Sequence, residues 1–522
     1  LVDGGHAELP LSEVLARAHE VREIVGEIPT QTFALTRLLL AICYRALDNA
    51  EDPVAEQWRA LWQMSELPAD AFDDYLDAFS HRFDLLHPET PFFQVAGLST
   101  AKGELGGLER LIADVPNGHQ YFTTRGGRAL DRISFAEAAR WLVHAHAFDP
   151  SGIKSGAVGD DRVKGGKGYP IGTGWCGALG GLLLEGRNLR ETLLINMVPH
   201  DLHRSVFAAD DDLPVWERDP LTAAVERPTD PAPRGPLELL TWQSRRIRLG
   251  FDDHGVTAVL IANGDPTAPQ NMHRLETMTA WRRSPAQEKA RKEALVYMPR
   301  THDPERALWR GLASLLPAHE STGSPSALPS RTIDWISHLT DSAILEPDYF
   351  LHTRALGIAY GSQNAVVDEL VDDTVDFRVI LASERDRRFG ALAVDAVAAV
   401  EQAVTGVALL AGNLAIAAGG EPDGPRDRAR EIAYFRLSSP FRHWLSSLDT
   451  HTDLDDVRNH WFDTARSIVG SVARDLVDHA GPQAWIGRTS QTGQHVSTPE
   501  AYAWFRHALV RALPYPNSRI SA

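Results

Sequence analysis

Residues 138–198 read AARWLVHAHAFDPSGIKSGAVGDDRVKGGKGYPIGTGWCGALGGLLLEGRNLRETLLINMV, and a marked helix stands at each end of this stretch. Ser134 and Glu137, just upstream, have the spacing of a capping box and predict a helix that begins there. Asn188 and Glu191 have the same spacing and predict a second helix at the far end. The stretch is therefore two helices joined by a long connection.

That connection runs from Ser151 to Arg187, and we expect it to be irregular apart from a short strand in GGLLLEG. Loops of such length in compact domains are usually functional or disordered. Its middle, GDDRVKGGKGYPIGTGW at 159–175, combines glycines with Lys164 and Lys167. Glycine lets the main chain approach a partner closely, and the lysines favour an anionic one. The segment is either a flexible spacer or a backbone that touches such a partner.

Two nucleotide-binding templates fail on this segment. A Walker loop needs a glycine five residues before Gly166–Lys167 and a Ser or Thr after it, but the sequence has Asp161 and Gly168 there. The motif GxGxxG does occur at 172–177, but no strand precedes it and no convincing helix follows. We therefore expect no bound cofactor and no metal.

Outside this stretch, the pattern divides the chain into a mixed first part and a helical last part. Residues 33–47 repeat apolar side chains at helical spacing, whereas 241–251 and 256–264 have the alternating or β-branched pattern of strands that meet at turns. Four helices are expected near the C-terminus, at about 389–419, 425–448, 453–477 and 498–513. We predict an α+β protein with a large mixed N-terminal domain, residues 1–380, followed by a C-terminal four-helix bundle, residues 381–522.

Charge and composition limit the class of protein. The 522 residues carry a net charge of -18, so any contact with nucleic acid must be local. Cys43 and Cys176 are the two cysteines, and their separation argues against a disulfide framework or a cysteine zinc site. Residues 402–420 carry no charge and approach the length of a membrane-spanning helix, but their polar residues and glycines favour a buried bundle helix.

The opening segment, LVDGGHAELPLSEVL, has neither the basic part nor the apolar part of a secretory signal. With the cysteine usage, this indicates a cytoplasmic protein without a membrane partner. The segment does not begin with Met, so we expect the natural start to lie upstream.

Catalytic motifs are few. His200–Asp201 matches the HD dipeptide of metal-dependent phosphohydrolases, but two ligands do not make a site, and a solvated cap after proline is commoner. His144 and His146, two positions apart on a predicted helix, point in different directions and cannot easily share a metal. The balance favours a binding protein, with an HD phosphohydrolase as the alternative.

Three turns have suggestive chemistry. YFTTRGGRAL at 121–130 places two arginines around Gly-Gly, which suits either phosphate binding or a solvated hairpin. VLIANGD at 259–265 ends a strand in Asn-Gly, the chemistry of a tight turn. GIAYGSQNAVV at 357–367 sets amide side chains at a turn tip, where they satisfy local backbone groups or probe base edges.

On these residues the chain resembles the large subunit of the type I-E Cascade complex, the CasA family, which serves the RNA-guided CRISPR defence of bacteria. The likeness is most specific across 138–198, is supported by HPETPFFQ at 87–94 and TWQSRRIRL at 241–249, and covers nearly the whole chain. It implies a subunit without a catalytic role that inspects the duplex beside the target for a short protospacer-adjacent motif, helps to open the strands, and offers a docking surface to a helicase-nuclease.

The resemblance also implies roles for particular residues. The family's motif-recognising glycine loop falls on Lys164, Gly165, Gly166, Lys167 and Gly168. Its finger falls on Asn263, where familiar members have a lysine, and its strand-separating wedge falls on Gln363 and Asn364. An early loop that reaches toward the guide RNA and neighbouring subunits falls on Thr123, Thr124, Arg125, Gly126, Gly127 and Arg128.

The implied roles agree with the chemistry of DNA. In the minor groove a base pair shows few distinguishing groups, so a close glycine backbone that tests for the guanine amino group rejects some pairs and tolerates others. Amide side chains in the gap can hold strands apart while guide pairing begins. The implied partners are other Cascade subunits with their guide RNA, target double-stranded DNA and the helicase-nuclease. A structural subunit that contacts only proteins stays open as a third hypothesis.

Overall fold

The computed structural model describes residues 1–48, 53–115, 123, 125–199, 211–228, 232–317, 325–489, 493 and 495–516. The protein is α+β with long C-terminal helices, which confirms the predicted fold class. Two compact units can be distinguished: Leu1–Arg306 with Glu320–Leu339 and His352–Thr374, and Ala307–His319 with Thr340–Leu351 and Val375–Ala522. The domain boundary at residue 380 stays a prediction.

The helices of the first two thirds of the chain are mostly short. In chain order they are α1 (Leu11–Ala16), α2 (Pro29–Ala46), α3 (Val54–Gln63), α4 (Ala69–Ala78), α5 (Ser80–Phe83), α6 (Phe135–Phe148), α7 (Leu189–Asn196), α8 (Pro236–Leu240), α9 (Pro285–Arg291) and α10 (Arg331–Asp341). Helices α6 and α7 confirm the predicted starts, because the side chains of Ser134 and Asn188 accept hydrogen bonds from the NH groups of Glu137 and Glu191. These caps satisfy main-chain donors that a helix start leaves free.

The strands form small antiparallel sheets. They are β1 (Lys154–Ser155), β2 (Lys167–Gly168), β3 (Gly181–Glu185), β4 (Arg245–Asp252), β5 (Gly255–Asn263), β6 (Trp281–Arg283), β7 (Tyr297–Pro299), β8 (Ala327–Leu328), β9 (Phe350–Tyr360), β10 (Val367–Arg378), β11 (Arg488–Thr489) and β12 (His495–Val496). Strand β9 lies between β3 and β10, and β6 lies between β7 and β8. The long β4–β5 hairpin carries the two predicted strands, although β4 begins at Arg245 and not at Thr241, because residues 241–244 form the turn that leaves α8.

The core of the first unit fixes Trp175, the last residue of the glycine-rich segment 159–175. Arg37 of α2 donates to both carboxylate oxygens of Glu276, at 2.8 and 2.9 Å, and all of these groups are buried. The indole NH of Trp175 donates to the same carboxylate at 2.6 Å. Burial of this ion pair with its hydrogen bonds satisfied leaves little freedom to the residues that precede Trp175.

The second unit contains the long helices α11 (Arg388–Ala418), α12 (Asp423–Ser446), α13 (Leu454–Asp478) and α15 (Thr498–Ala512), with the short α14 (Pro482–Ile486). Helix α11 packs against the other three long helices, and rings of Trp309, Phe441 and Trp461 cluster beside it in the same unit. Among the described residues, α11 is the one helix long and apolar enough to cross a membrane. Its packing is that of a bundle helix, since buried side chains recur along it at three- and four-residue spacing while others, such as Leu409, are exposed.

Candidate nucleic-acid interface

The glycine-rich connection folds around a two-residue hairpin turn. The main-chain NH of Lys164 donates to the carbonyl oxygen of Lys167 at 3.1 Å, and the NH of Lys167 donates back at 3.1 Å. Gly165 and Gly166 occupy the two turn positions with φ of 59° and 73°. Such a turn needs left-handed backbone at both positions, which glycine adopts without strain. We call residues 164–167 the glycine turn.

The prediction of an irregular connection is wrong at this point. Strand β2 begins at Lys167, the last residue of the turn, and pairs with β1, with Ser155 opposite Lys167 and Lys154 opposite Gly168. They are only two residues long, too short for any periodicity to reveal. The Gly-Gly pair between two polar residues is a hairpin signal that identifies the turn.

The outer edge of the glycine turn is open. All four of its residues are exposed, and a Cβ placed on Gly165 or Gly166 would have no heavy atom within 4 Å. The ammonium groups of Lys164 and Lys167 make no ion pair with the described part of the chain. The turn therefore presents bare backbone between two cations, which can approach an anionic polymer more closely than a turn with side chains.

Two other glycines serve the packing of the hairpin itself. A Cβ on Gly156 would lie 2.6 Å from the carbonyl carbon of Gly166. A Cβ on Gly168 would lie 2.9 Å from the side-chain nitrogen of Asn263, and Gly168 is buried. Residue 168 therefore has to be glycine because a side chain there would collide with Asn263. Gly168 lets the hairpin pack against β5.

Asn263 is not at the tip of a tight turn, so that prediction is wrong. The β4–β5 hairpin turns at its other end, between Asp252 and Gly255, while Gly264 continues the pairing by donating to Ser244. Asn263 is 3% exposed, and its side-chain NH₂ donates to the carbonyl oxygen of Tyr169 at 2.6 Å. Its predicted part in motif recognition stays a prediction, and its contacts are those of a residue that holds the glycine turn in place.

Arg162 joins the glycine turn to the end of β5. Its Nε donates to Asp160 Oδ1 at 2.9 Å, and its terminal nitrogens donate to the carbonyl oxygens of Gly264 at 3.0 Å and Asn263 at 3.3 Å. Three contacts from one planar guanidinium fix the orientation of the connection. These hydrogen bonds hold the segment that leads into the glycine turn against the end of β5.

Gln363 and Asn364 lie at the tip of the hairpin between β9 and β10, as the sequence predicted. Both are exposed, and both have left-handed backbone, with φ of 57° and 56°. The NH of Asn364 donates to Gly361 at 2.9 Å, and the NH of Gly361 donates to Val366 at 2.9 Å, so main-chain bonds close the tip. The side-chain amides are left to face outward.

The structure brings the wedge and the glycine-rich connection together at the end of α6. The NH of Ser151 donates to the carbonyl oxygen of Asn364 at 2.8 Å. The hydroxyl of Tyr360, the last residue of β9, donates to the carbonyl oxygen of Phe148 at 2.6 Å. The wedge hairpin and the start of the glycine-rich connection therefore belong to one unit and meet at residues 148–151.

The predicted guide-RNA loop is described only in part, since Thr124 lies outside the described residues. Gly127–Leu130 form a 3-10 turn, and the alternative of a solvated hairpin stays a prediction, since residues 121 and 122 also lie outside the described residues. Arg125 pairs with Glu137 of α6 at 2.6 Å, and its NH donates to Thr123 Oγ1 at 3.1 Å. Arg128 is exposed, as are Gly126 and Gly127. Arg128 is consequently the more available cation.

Three exposed apolar side chains flank the site and were not predicted. Ile153, Tyr169 and Val366 are 58%, 54% and 45% exposed, and they lie next to β1, β2 and the wedge. Single exposed apolar residues carry no sequence signal, because their meaning depends on neighbours that only the fold supplies. Beside a backbone contact, they can pack against sugars and bases.

Metal ligands do not gather in the described parts of the chain, where no group of three or more His, Cys, Asp or Glu side chains could hold an ion. His200 and Asp201 lie outside the described residues. His144 and His146 have separate partners, Thr30 Oγ1 at 2.9 Å and the carbonyl oxygen of Phe93 at 2.8 Å. Burial lowers the pKa of both imidazoles to about 3, so they are neutral.

Comparisons with known proteins agree with one another. The model of the family "CRISPR-associated protein Cse1" matches residues 1–472. The crystal structure of Thermobifida fusca Cse1 is 48% identical, with a TM-score of 0.89, over 98% of this chain and 96% of that one. A chain titled "CRISPR RNA-guided surveillance complex" shares the fold alone, at 19% identity and a TM-score of 0.64, over 90% of this chain and 94% of that one.

A curated relative, the CRISPR-associated protein CasA/Cse1 of Thermus thermophilus, is 32% identical over 326 residues. This alignment takes in 61% of the present chain and 58% of the relative, so it spans less than two thirds of the relative's length. The family match over most of the chain agrees with the resemblance read from residues 138–198. The chain belongs to the CRISPR-associated protein Cse1 family, also called CasA.

Proposed function

We propose that this chain is the large subunit of a type I-E Cascade complex, that it recognises the protospacer-adjacent motif in double-stranded DNA with the glycine turn, and that it opens the neighbouring base pair with Gln363 and Asn364. The glycine turn is the observation that carries the proposal. It combines bare backbone, two exposed lysines and a braced base in one loop. A loop whose glycines served only flexibility would not need such bracing.

The dimensions of DNA favour a minor-groove contact for this turn. The minor groove is only about 6 Å wide, so a helix cannot enter it, whereas a two-residue turn without side chains can. The guanine amino group is the main feature that distinguishes base pairs there. A backbone pressed against the groove floor would meet that group as a steric obstacle. Lys164 and Lys167 would hold the phosphates on either side.

The wedge has the geometry to keep strands apart. Left-handed backbone at a residue other than glycine costs roughly 1–2 kcal/mol, and such strain persists mainly where the surroundings impose it. Here the main-chain bonds of Gly361, Asn364 and Val366 impose it and turn two amide groups outward. Each amide offers donors and an acceptor, which suits the base edges that separation exposes.

The remaining parts of the proposal extend the resemblance to the CasA family. The chain would have no catalytic role, would act in the cytoplasm beside other Cascade subunits and their guide RNA, and would present a docking surface to the helicase-nuclease. Exposed Arg128 is the cation we assign to the guide RNA or a neighbouring subunit, because Arg125 is engaged by Glu137.

Gly166→Asp in the assembled complex tests the proposal. The substitution meets no atom of the chain, and Asp tolerates left-handed backbone, so the melting temperature should hardly change. The added carboxylate should reduce capture of target duplexes at least tenfold, since about 1.4 kcal/mol of repulsion suffices for that factor. Affinity for a library of flanking-motif duplexes, with and without this subunit, is the measurement.

Normal capture by the folded Gly166→Asp complex would overturn the proposal. A library preference that persists without this subunit would overturn it as well. Metal-stimulated cleavage by the isolated chain, lost in His200→Ala, would instead favour the phosphohydrolase alternative.

A further inference from the structure

Three buried charges meet where α6 ends. Asp149 Oδ2 accepts from Arg245 Nε at 2.5 Å and from Lys154 Nζ at 2.5 Å. The side chain of Arg245 is fully buried, and those of Asp149 and Lys154 are 8% and 16% exposed. We call Asp149, Lys154 and Arg245 the charge hub. Neither spacing nor composition predicts it, because its members come from the C-terminal end of α6 and from strands β1 and β4.

Arg245 connects the hub to the start of the glycine-rich connection and to the segment that follows the glycine turn. Its Nη2 donates to the carbonyl oxygens of Asp149 and Pro150, each at 3.1 Å, and to that of Gly172 at 2.8 Å. The NH of Gly174 donates to the carbonyl oxygen of Asp149 at 2.9 Å. The start of the connection and the segment that follows the glycine turn are thus tied to one guanidinium.

Lys154 connects the hub to the glycine turn. It lies in β1, where it pairs with Gly168, and its neighbour Ser155 pairs with Lys167 of the turn. A shift of β1 would therefore move the turn directly. Because Lys154 is held by Asp149, the position of the turn depends on an ion pair that does not itself face a ligand.

The wedge hairpin is attached to the residues on either side of Asp149. Phe148, one residue before it, accepts from Tyr360 at the end of β9, and Ser151, two residues after it, donates to Asn364 of the wedge. The hub consequently lies between the element assigned to the motif and the element assigned to the first base pair.

We infer that the charge hub is a positioning device that holds the glycine turn and the wedge in fixed register, so that motif recognition and strand opening occur as one coupled step. The inference rests on the proposed function. A buried ionic cluster is weak evidence for stability, because apolar replacements are often as stable, but it can specify one geometry among several. Register between two contact elements is the kind of property that such specificity serves.

The electrostatics of the hub agree with this role. Burial alone would raise the pKa of Asp149, but Lys154 and Arg245 hold it below its ordinary value, so the carboxylate stays charged. Removal of one partner leaves the remaining charges imperfectly compensated. The contacts at residues 148–151, where the wedge hairpin meets the connection, should then loosen before the protein unfolds.

Two variants test the hub in the assembled complex. Asp149→Asn removes the negative charge with which both cations pair. Lys154→Met removes the ion pair between Lys154 and Asp149 and leaves Asp149 paired with Arg245. Lys154→Arg keeps a cation within reach of Asp149 and is the conservative rescue. Arg45→Met is the matched control, since it breaks another partly buried ion pair, with Glu217, that touches neither element.

Two readouts separate positioning from stability. One is the ratio of affinities for the best and worst flanking motifs of the wild-type complex. The other is the fluorescence of 2-aminopurine at the first base pair, which reports opening. We expect Asp149→Asn and Lys154→Met to reduce the motif ratio about 3- to 30-fold and to reduce opening with it, while Lys154→Arg and Arg45→Met preserve both.

The outcomes are distinguishable. If Asp149→Asn does not fold, Lys154→Met alone decides. Loss of thermal stability with both readouts unchanged would overturn the positioning role of the charge hub. Binding that weakens equally for all motifs, with opening of the first base pair unchanged, would overturn it as well. If Gly166→Asp abolishes capture in the same experiment, such results leave the proposed function standing. If Gly166→Asp captures duplexes normally, the proposed function fails first.

Discussion

Gln363 and Asn364 hold a backbone conformation that their side chains disfavour. Asparagine visits left-handed backbone more readily than glutamine, so the strain is concentrated at Gln363. Glycine at this position would adopt the same φ without a steric penalty. The native glutamine is therefore the less stable choice for the fold, which fits a side chain retained for contact with a ligand.

Gln363→Gly should accordingly stabilise the protein and impair it. We expect the free energy of unfolding to rise by about 0.5–1 kcal/mol, because the strained backbone is relieved. Opening of the first base pair should fall, because the amide is gone. Denaturant titration and 2-aminopurine fluorescence check the two effects, with Gln363→Asn as a variant that keeps an amide. Unchanged opening in Gln363→Gly would remove Gln363 from the wedge.

For single residues, the sequence predicts which chemistry is available but not which side chains are buried. The glycines at 165, 166 and 168 were assigned together, yet two form an exposed turn and the third is buried against Asn263. Asn263–Gly264 has the composition of a tight turn, but the chain does not reverse there, and Gly264 donates to Ser244 across the hairpin. Side-chain type limits what a position can do, and only the strand register decides which side it faces.

The start of helix α6 could be predicted from the sequence, whereas the contacts at its end could not. Its start was predictable from Ser134 and Glu137 because capping is a local interaction. The strands beside the glycine turn were not, because two-residue strands exist only through their long-range pairing. The charge hub at the end of α6 was missed for the same reason. Local chemistry thus marks the ends of elements, whereas the assembly of the site depends on contacts far apart in sequence.

Helix α6 should also make stability depend on pH. His144 and His146 have folded-state pKa values of about 3, below the ordinary value of about 6.5. Their contribution is complete above pH 6.5 and is lost as pH falls, because the unfolded chain then binds protons that the folded chain cannot. Each histidine should cost up to about 2 kcal/mol at pH 5.

Melting curves at pH 7 and pH 5 check this prediction, with His146→Gln as the comparison. The variant keeps a donor for the carbonyl oxygen of Phe93 but cannot be protonated. We expect it to lose less stability than the wild type between the two pH values. Equal losses would show that His146 is not buried in its neutral form.

The whole molecule is acidic, with a net charge of -18, so attraction to DNA must come from few positions. Lys164 and Lys167 supply it in this account. Their joint replacement by glutamine should reduce the salt dependence of duplex capture by about 2 in the slope of log K against log salt concentration. Lys102→Gln, at another exposed lysine, should leave the slope unchanged. An unchanged slope in the double variant would place the phosphates elsewhere.

At this scale the class of fold was predictable, because helical periodicity over long segments marks the C-terminal helices and alternating runs mark the β4–β5 hairpin. The family was predictable from residues 138–198. The composition of the two compact units was not, since the second unit takes in segments before residue 352 that carry no boundary signal. Such assembly depends on which buried faces meet.

A comparison of Gly166→Asn with Gly103→Asn tests whether the backbone of the glycine turn makes a close contact with duplex DNA. Both glycines have left-handed backbone, with φ of 73° and 70°, and a Cβ on either meets no atom of the chain. Asn tolerates that backbone, so both variants should fold equally well. The affinity of the assembled complex for target duplex should fall at least tenfold in Gly166→Asn alone. Equal affinities in the two variants would contradict the account.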